Sequence, residues 1–442
     1  MNNLRLLAGL LLAGLLLAAL LGGAPRLYPQ EVITLDRIFE CAEANSARLR
    51  PSFSAQTEAE REISVAKAGR LPDISANLTL SYIGDGFITK RDFTGYQKAP
   101  IPHLGTGAGL SVNQPVYTGR AISNGIELAE LKSTAARFRT DLQRDNIRFE
   151  LTGFYLDIYK FTNLRRVVES NIASADKILA DMKARHEQGT VLLNDITRYE
   201  LLLSNLELQL LKIDNTLKIL NSNLVTAAGL PEGTVVIPDS TILSRALPNR
   251  GEDWWRQEAD THSPALSLAR NGVEMSRKSE ALVRSERLPK IGLQAAWSLE
   301  GPILVEIPPI DRNLSYWYVG VGITYDLSSL YKTNKSLARS RAATLKAQEE
   351  LEAAREGVEL TVRADHIRYL EAYEELKTRD KEVELAERNY NTIATRFSEG
   401  MALITDMLDA ADARLNAGQQ LVNARIDIIY YYYRLLFTTG TI

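Results

Sequence analysis

Cysteine is nearly absent. Cys41 is the only one in 442 residues, so no disulfide can form within a chain and no CxxC redox pair exists. Histidine is almost as scarce: His103, His186, His262 and His366 stand far apart, none at metal-ligand spacing from another. Thiol chemistry and His-paired catalysis are therefore disfavoured; no catalytic residue, metal site or cofactor is assigned. An excess of one charge is also missing. With 52 Lys and Arg against 55 Asp and Glu, the formal charge is −3, which offers no footprint for nucleic acid. Beyond Ala24 no apolar run is long enough to cross a bilayer as a helix.

What the chain does have begins at its N-terminus. Arg5 precedes an unbroken apolar run from Leu6 to Ala24 that ends in Gly22-Gly23-Ala24. A basic start, a long apolar stretch and small residues predict a secretory signal over residues 1–24, with a membrane anchor as the rival. Cys41 follows Ile38-Phe39-Glu40, which is not the setting of a lipid-attached cysteine.

The rest of the sequence is written twice. RLPDISANLTLSY (Arg70 to Tyr82) recurs as RLPKIGLQAAWSL (Arg287 to Leu299), and GLSVNQPVY (Gly109 to Tyr117) as GVGITYDLS (Gly320 to Ser328). ARHEQGTVLLNDI (Ala184 to Ile196) matches TRFSEGMALITDM (Thr395 to Met407); the three pairs keep their order at offsets of 211 to 217 residues. A repeat on this scale means two copies of one supersecondary unit.

Each copy holds two period-2 stretches. Ile74, Ala76, Leu78, Leu80 and Tyr82 alternate with Ser75, Asn77, Thr79 and Ser81; Trp317, Val319, Val321, Ile323 and Tyr325 alternate with Tyr318, Gly320, Gly322 and Thr324. These patterns predict four strands of about ten residues with one apolar face. A sandwich core accommodates such strands, and so does a membrane barrel, with Tyr82, Tyr117, Trp297, Trp317 and Tyr325 as its aromatic girdle. Four strands cannot close a barrel, and lipid tolerates no open edge, so a membrane barrel requires several chains.

The remainder reads as helix. Ile147, Leu151, Phe154, Ile158, Phe161, Val168, Ile172, Ala175, Leu179 and Met182 keep a coiled-coil register broken only by Arg165. Two stretches of about 69 residues, Arg120 to Gln188 and Tyr331 to Glu399, predict helices about 100 Å long, each matched by two shorter helices end to end. The expected division is a signal (1–24), a first repeat (25–228), a linker (229–251) and a second repeat (252–442). Strands are expected near 73–84, 106–118, 290–300 and 315–327, and helical hairpins over 120–228 and 330–437.

This order of elements resembles the TolC-type outer-membrane efflux proteins. The likeness covers about Ile33 to Phe437 and is most specific in GMALITDMLDAADARLNAGQQLVNARIDI, Gly400 to Ile428, with Leu71-Pro72 and Leu288-Pro289 as the paired starts of strands. It implies an α+β membrane protein: a homotrimer whose four strands per chain make a twelve-stranded outer-membrane barrel, continued through the periplasm by an α-helical coiled-coil barrel. It also implies a passive duct of a tripartite efflux or type I secretion system in a Gram-negative outer membrane. Its partners would be outer-membrane lipid, a periplasmic adaptor and an inner-membrane transporter. A soluble periplasmic coiled-coil adaptor or structural protein is the rival, and predicts one hairpin without duplicated strands. An exported hydrolase using paired aspartates is a weaker one.

By position after Gly400, Asp406 and Asp409 match the aspartates that line the constricted tip of this family, and Asp195 takes the corresponding place in the first copy. The simpler reading makes Asp406 a helix-start residue and Asn194 a cap. Gly189 and Gly400 suit left-handed turns; with Thr190, Val191, Met401 and Ala402 they are candidates for adaptor contact, against a reading as solvated turns. The family pattern is broken at Ala402, where an arginine is expected, and at Phe397, where a tyrosine is expected, which puts the usual latch of the tip in doubt. Asp326 also replaces the proline expected opposite Pro115.

Overall fold

The structure, a computed structural model, describes residues 31–442 apart from positions 240, 245, 246, 249, 307 and 308. The expected signal segment lies outside the described residues. The elements are β1 (Glu31–Ile33), α1 (Leu35–Asn45), α2 (Arg50–Ala68), β2 (Asp73–Tyr82), β3 (Gly86–Ile88), β4 (Gln97–Ala99), β5 (Leu104–Tyr117), α3 (Ala121–Glu187) and α4 (Leu193–Ala228). They continue as β6 (Val236–Pro238), α5 (Thr241–Ser244), α6 (Glu252–His262), α7 (Pro264–Ser285), β7 (Lys290–Gly301), β8 (Leu314–Thr324), α8 (Ser329–Ser398) and α9 (Ile404–Thr439). No helix among the described residues is long and apolar enough to cross a membrane.

Four strands form one antiparallel sheet in the order β2-β5-β7-β8. Cross-strand partners share a face, so the register decides whether the four alternating patterns agree. They do. Ala76, Leu110, Trp297 and Trp317 are successive partners on one face; Ser75, Ser111, Ala296 and Tyr318 are partners on the other. On the second face the Ser75 and Ser111 hydroxyls meet at 2.7 Å. The apolar face has no cover: Leu78, Leu80, Val319 and Ile323 are all exposed. No second sheet packs on it among the described residues, so the sandwich reading of these strands does not hold. Both outer strands, β2 and β8, keep an unpaired edge.

The long helices α3 and α8, of 67 and 70 residues, run beside pairs of shorter ones. At the tip end the neighbours in sequence are α4, α3, α9 and α8; nearer the sheet they are α2, α3, α7 and α8. Thus α3 is flanked on both sides and α8 on one. The connection between the copies folds as β6, α5 and α6 around the middle of the helices. There β1 pairs in parallel with β6, and Tyr155 ties them by donating to Ile33 O (3.0 Å) and accepting from Asp239 N (2.7 Å). Within the Tyr430–Tyr433 run, Tyr432 packs edge-on against buried Trp255 and Tyr433 joins the mid-helix core.

The two strand-to-helix transitions differ, as the Pro115/Asp326 mismatch suggested. The first bulges between Pro115 and Tyr117 and passes through left-handed Gly119 and Arg120 (φ 64° and 68°). The second uses Asp326, whose Oδ1 accepts from Ser328 N at 2.9 Å and turns the chain into α8 without a positive φ.

Candidate functional site

The two helical hairpins end in the same turn. Gly189 N donates to His186 O (2.8 Å) and Thr190 N to Arg185 O (3.0 Å); Gly400 N donates to Phe397 O (3.1 Å) and Met401 N to Arg396 O (2.7 Å). This pair of bonds satisfies the last carbonyls of a helix through a left-handed residue. Gly189 and Gly400 supply it at φ 77° and 75°.

Side chains then distinguish the tips. The Thr190 hydroxyl is spent on Arg185 O (2.9 Å), and His186 Nδ1 meets Val191 O at 2.7 Å. Val191, one of the candidates for adaptor contact, is half-buried against the tip core of Leu179, Met182, Ile196, Met407 and their neighbours. Met401 is exposed and Ala402 half-buried. The exposed apolar side chains that sequence reading passed over are Leu192, Leu193 and Leu403, beside the two turns. Their signal was available: three leucines next to a reversal, where solvated turns favour polar residues.

Beyond the second turn, Ile404, Met407 and Ala410 are buried, while Asp406 and Asp409 are exposed. The carboxylates therefore share the face of α9 that points away from the tip core. Asp406 also accepts from Leu403 N at 3.0 Å, so it satisfies an otherwise orphaned helix-start donor. Asp195 occupies the same third position of α4 and is half-buried. A third acid, Asp412, continues the i, i+3 series. Its carboxyl is raised above the usual range, by burial first and by the neighbouring Asp409 charge second. The spacing 406, 409, 412 was legible in the sequence.

Nothing stands at Ala402 or Phe397 to latch the hairpins, and other residues join them. Arg185 Nη1 reaches Phe397 O across the tips at 3.4 Å. Deeper, Arg414 Nη2 and Nε donate to Asn171 Oδ1 at 2.7 and 3.2 Å, while its guanidinium lies 3.7 Å from the centre of the Tyr390 ring. Asn171 Nδ2 is anchored on Val167 O at 2.8 Å. Arg414 thus ties α9 and α8 to α3, combining a forked charge-assisted bond with a cation–π contact.

The five aromatic residues expected as a girdle lie on or beside the sheet. Trp297 and Trp317 are direct partners on its apolar face, and Trp297 Nε1 donates to Ser315 Oγ at 3.0 Å. Tyr82 and Tyr117 end β2 and β5, and Tyr325 directly follows β8. No group of three or more His, Cys, Asp or Glu side chains able to hold a metal ion occurs among the described residues.

Residues 255–441 match the family model described as outer membrane efflux protein. The chain is 22% identical over 410 residues to outer membrane protein TolC of Vibrio cholerae serotype O1, covering 92% of this chain and 91% of that one. It is 21% identical to the pyoverdine export outer membrane protein OpmQ of Pseudomonas aeruginosa, covering 91% and 84%. Among solved structures, the outer membrane protein VceC of Vibrio cholerae superposes with a TM-score of 0.75 at 16% identity, over 92% of this chain and 96% of that one. The outer-membrane channel OprN gives 0.75 at 17% identity, over 92% and 90%.

Proposed function

We propose that this chain, which belongs to the outer membrane efflux protein family, is one third of a closed trimeric duct. It is an outer-membrane channel of the efflux and secretion kind, placed in the outer membrane of a Gram-negative bacterium. In our reading three copies close a twelve-stranded barrel in the membrane and a helical barrel in the periplasm.

The observation that carries this reading is that both layers of the chain stop at open edges. In the sheet, β2 and β8 are unpaired beside an uncovered apolar face, and lipid accepts such a face only in a closed barrel. In the helical layer, Leu201, Leu208, Leu211 and Ile219 are exposed on α4, and Leu360, Ile367, Leu370 and Leu385 on α8. A cyclic arrangement buries both kinds of edge with one contact, repeated.

The tips then converge on the axis. We read Asp406 and Asp409, with Asp195 and Asp412, as rings of carboxylate that favour cations and narrow the duct; Asp406 caps its helix as well. We read Arg414 on Asn171 as the tie that holds the hairpins closed where the family's arginine is absent. Leu192, Leu193, Met401 and Leu403, beside Gly189 and Gly400, are the surface we assign to a periplasmic adaptor, itself joined to an inner-membrane transporter.

Planar-bilayer recordings of the detergent-extracted oligomer test this reading. Asp406→Ala with Asp409→Ala is expected to weaken block by multivalent cations at least tenfold, and unchanged block would remove the acidic gate. In the same recordings Arg414→Ala is expected to raise the resting conductance. A protein that leaves the periplasm in buffer, without detergent, would refute the duct itself.

A further inference from the structure

We infer that the outer loops of the barrel lock neighbouring copies together, the first loop of one copy docking on the second loop of the next. This rests on the closed ring of copies proposed above.

The first loop, residues 83–103, joins β2 to β5 and is internally bonded throughout. β3 and β4 pair within it, Lys90 N donates to Thr94 O (2.8 Å) and Phe93 N to Lys90 O (2.9 Å). Asp92 Oδ1 accepts from both Thr94 N (3.1 Å) and Thr94 Oγ1 (2.7 Å). The turn so fixed holds Phe93 at φ 64°, a left-handed conformation unusual for a bulky residue. Its ring is 88% exposed. Phe87 and Tyr96 of the same loop stack at 5.6 Å and are exposed too. A loop that spends its bonds on presenting three aromatic rings to solvent has a surface to meet.

The second loop, between β7 and β8, presents the complement. Ile303 and Ile310 bridge its base, Leu304 is exposed and Val305 is 94% exposed. Among the described residues, Lys90 and Arg91 of the first loop form no ion pair, and neither do Glu306 and Asp311 of the second. The nearby Asp85 is already taken by Lys98 (2.6 Å). Arg312 is the one opposing charge on the second loop, and of the two acids on the first, Asp85 is paired with Lys98 and Asp92 is held by Thr94.

Topology brings the two loops side by side twice, once across the β5–β7 pair within a chain and once between copies. The first loop follows β2 and the second precedes β8, the two strands with open edges. Pairing β8 of one copy with β2 of the next sets these loops side by side. Within one chain the feet of the loops touch, through Thr106 Oγ1 donating to Asn313 Oδ1 at 3.2 Å. The charged and aromatic tips form no hydrogen bond or ion pair across that gap among the described residues. The occupant of the aromatic hairpin is therefore a second copy of this chain.

Cysteine cross-linking decides the matter, in a Cys41→Ser background. Phe93→Cys with Val305→Cys, oxidised in outer-membrane fractions and run boiled without reductant, is expected to give two-chain and three-chain bands that reductant abolishes. Cross-links only within single chains, or none, from a protein that light scattering in detergent shows to be trimeric would overturn the inference. The absence of trimer in that measurement would instead remove the ring on which it rests. Adding Lys90→Glu and Arg91→Glu is expected to lower the cross-linked fraction at least threefold at low salt. Adding Glu306→Lys and Asp311→Lys to that chain is expected to restore it, and a failure of the full charge exchange to restore it would overturn the charge pairing.

Discussion

Leu156 and Ile367 stand at the same place in the two copies, 211 residues apart, as do the turn glycines Gly189 and Gly400. Leu156 on α3 is 1% exposed and Ile367 on α8 is 56% exposed. The partner face of each helix behaves alike in both: Leu151, Tyr155 and Ile158 are buried, and so are Val362, His366 and Tyr369. The difference is confined to the second face. On α3 that face meets α2 and α4; on α8 no helix packs against it among the described residues. A duplicated unit placed once in the interior and once at the edge shows which contacts one chain satisfies and which it leaves open.

The most disruptive way to probe this contrast is to truncate both positions. Leu156→Ala is expected to cost about 2–5 kcal/mol of chain stability, as other buried leucines do. Ile367→Ala is expected to leave the unassembled chain within about 0.5 kcal/mol of wild type and to weaken the oligomer instead. Thermal melts of the unassembled chain, set against the dissociation temperature of the oligomer on unheated gels, separate the two effects. Equal loss in both assays at both positions would dissolve the distinction between centre and edge.

A smaller effect is expected where the copies differ in a charge. Asp145 is 7% exposed, and burial pushes its carboxyl up to about 6, with Asp141 adding to the shift and Arg148 and Arg144 opposing it. Its counterpart Glu356 is exposed. Folded Asp145 holds its proton more tightly than the unfolded chain does. Its contribution therefore falls as pH rises from about 4 to about 6, and the cost of the buried charge is fully present above that window. Asp145→Asn is expected to flatten this part of the stability profile and to add about 1–3 kcal/mol at pH 7. Glu356→Gln is expected to do neither; denaturant titrations at pH 4.5 and 7 compare them.

The least effect is expected where the copies agree. Gly189→Ala and Gly400→Ala each force alanine into a left-handed turn with open space around the new methyl. Each is expected to cost about 1 kcal/mol locally. Hydrogen exchange at the two tips reads this, and a cost differing more than threefold would show that the matching turns carry unequal strain.

Much of this was legible in the sequence because it is local. The alternation from Ile74 to Tyr82 lies within the strand Asp73–Tyr82, and that from Trp317 to Ile323 within Leu314–Thr324, with Tyr325 just beyond its end. The unbroken stretch after Arg120 lies in one helix of 67 residues. The exposed pair Asp406 and Asp409 follows from helical period and a known turn position. The half-burial of Val191 was not legible, because adjacency to a turn says nothing about which side chain folds back onto the core. The tie at Arg414 was invisible because Asn171 lies 243 residues away.

The sequence by itself determined the strand faces, the helix lengths and the two reversing turns, since each depends on backbone geometry repeated over a few residues. Only the tertiary structure decided that the four apolar strand faces coincide and that Leu156 is covered while Ile367 is not. It alone placed Arg414 between three helices. Register and layer order bring together residues from distant parts of the chain, and local periodicity carries no record of which neighbour, or which copy, will be alongside.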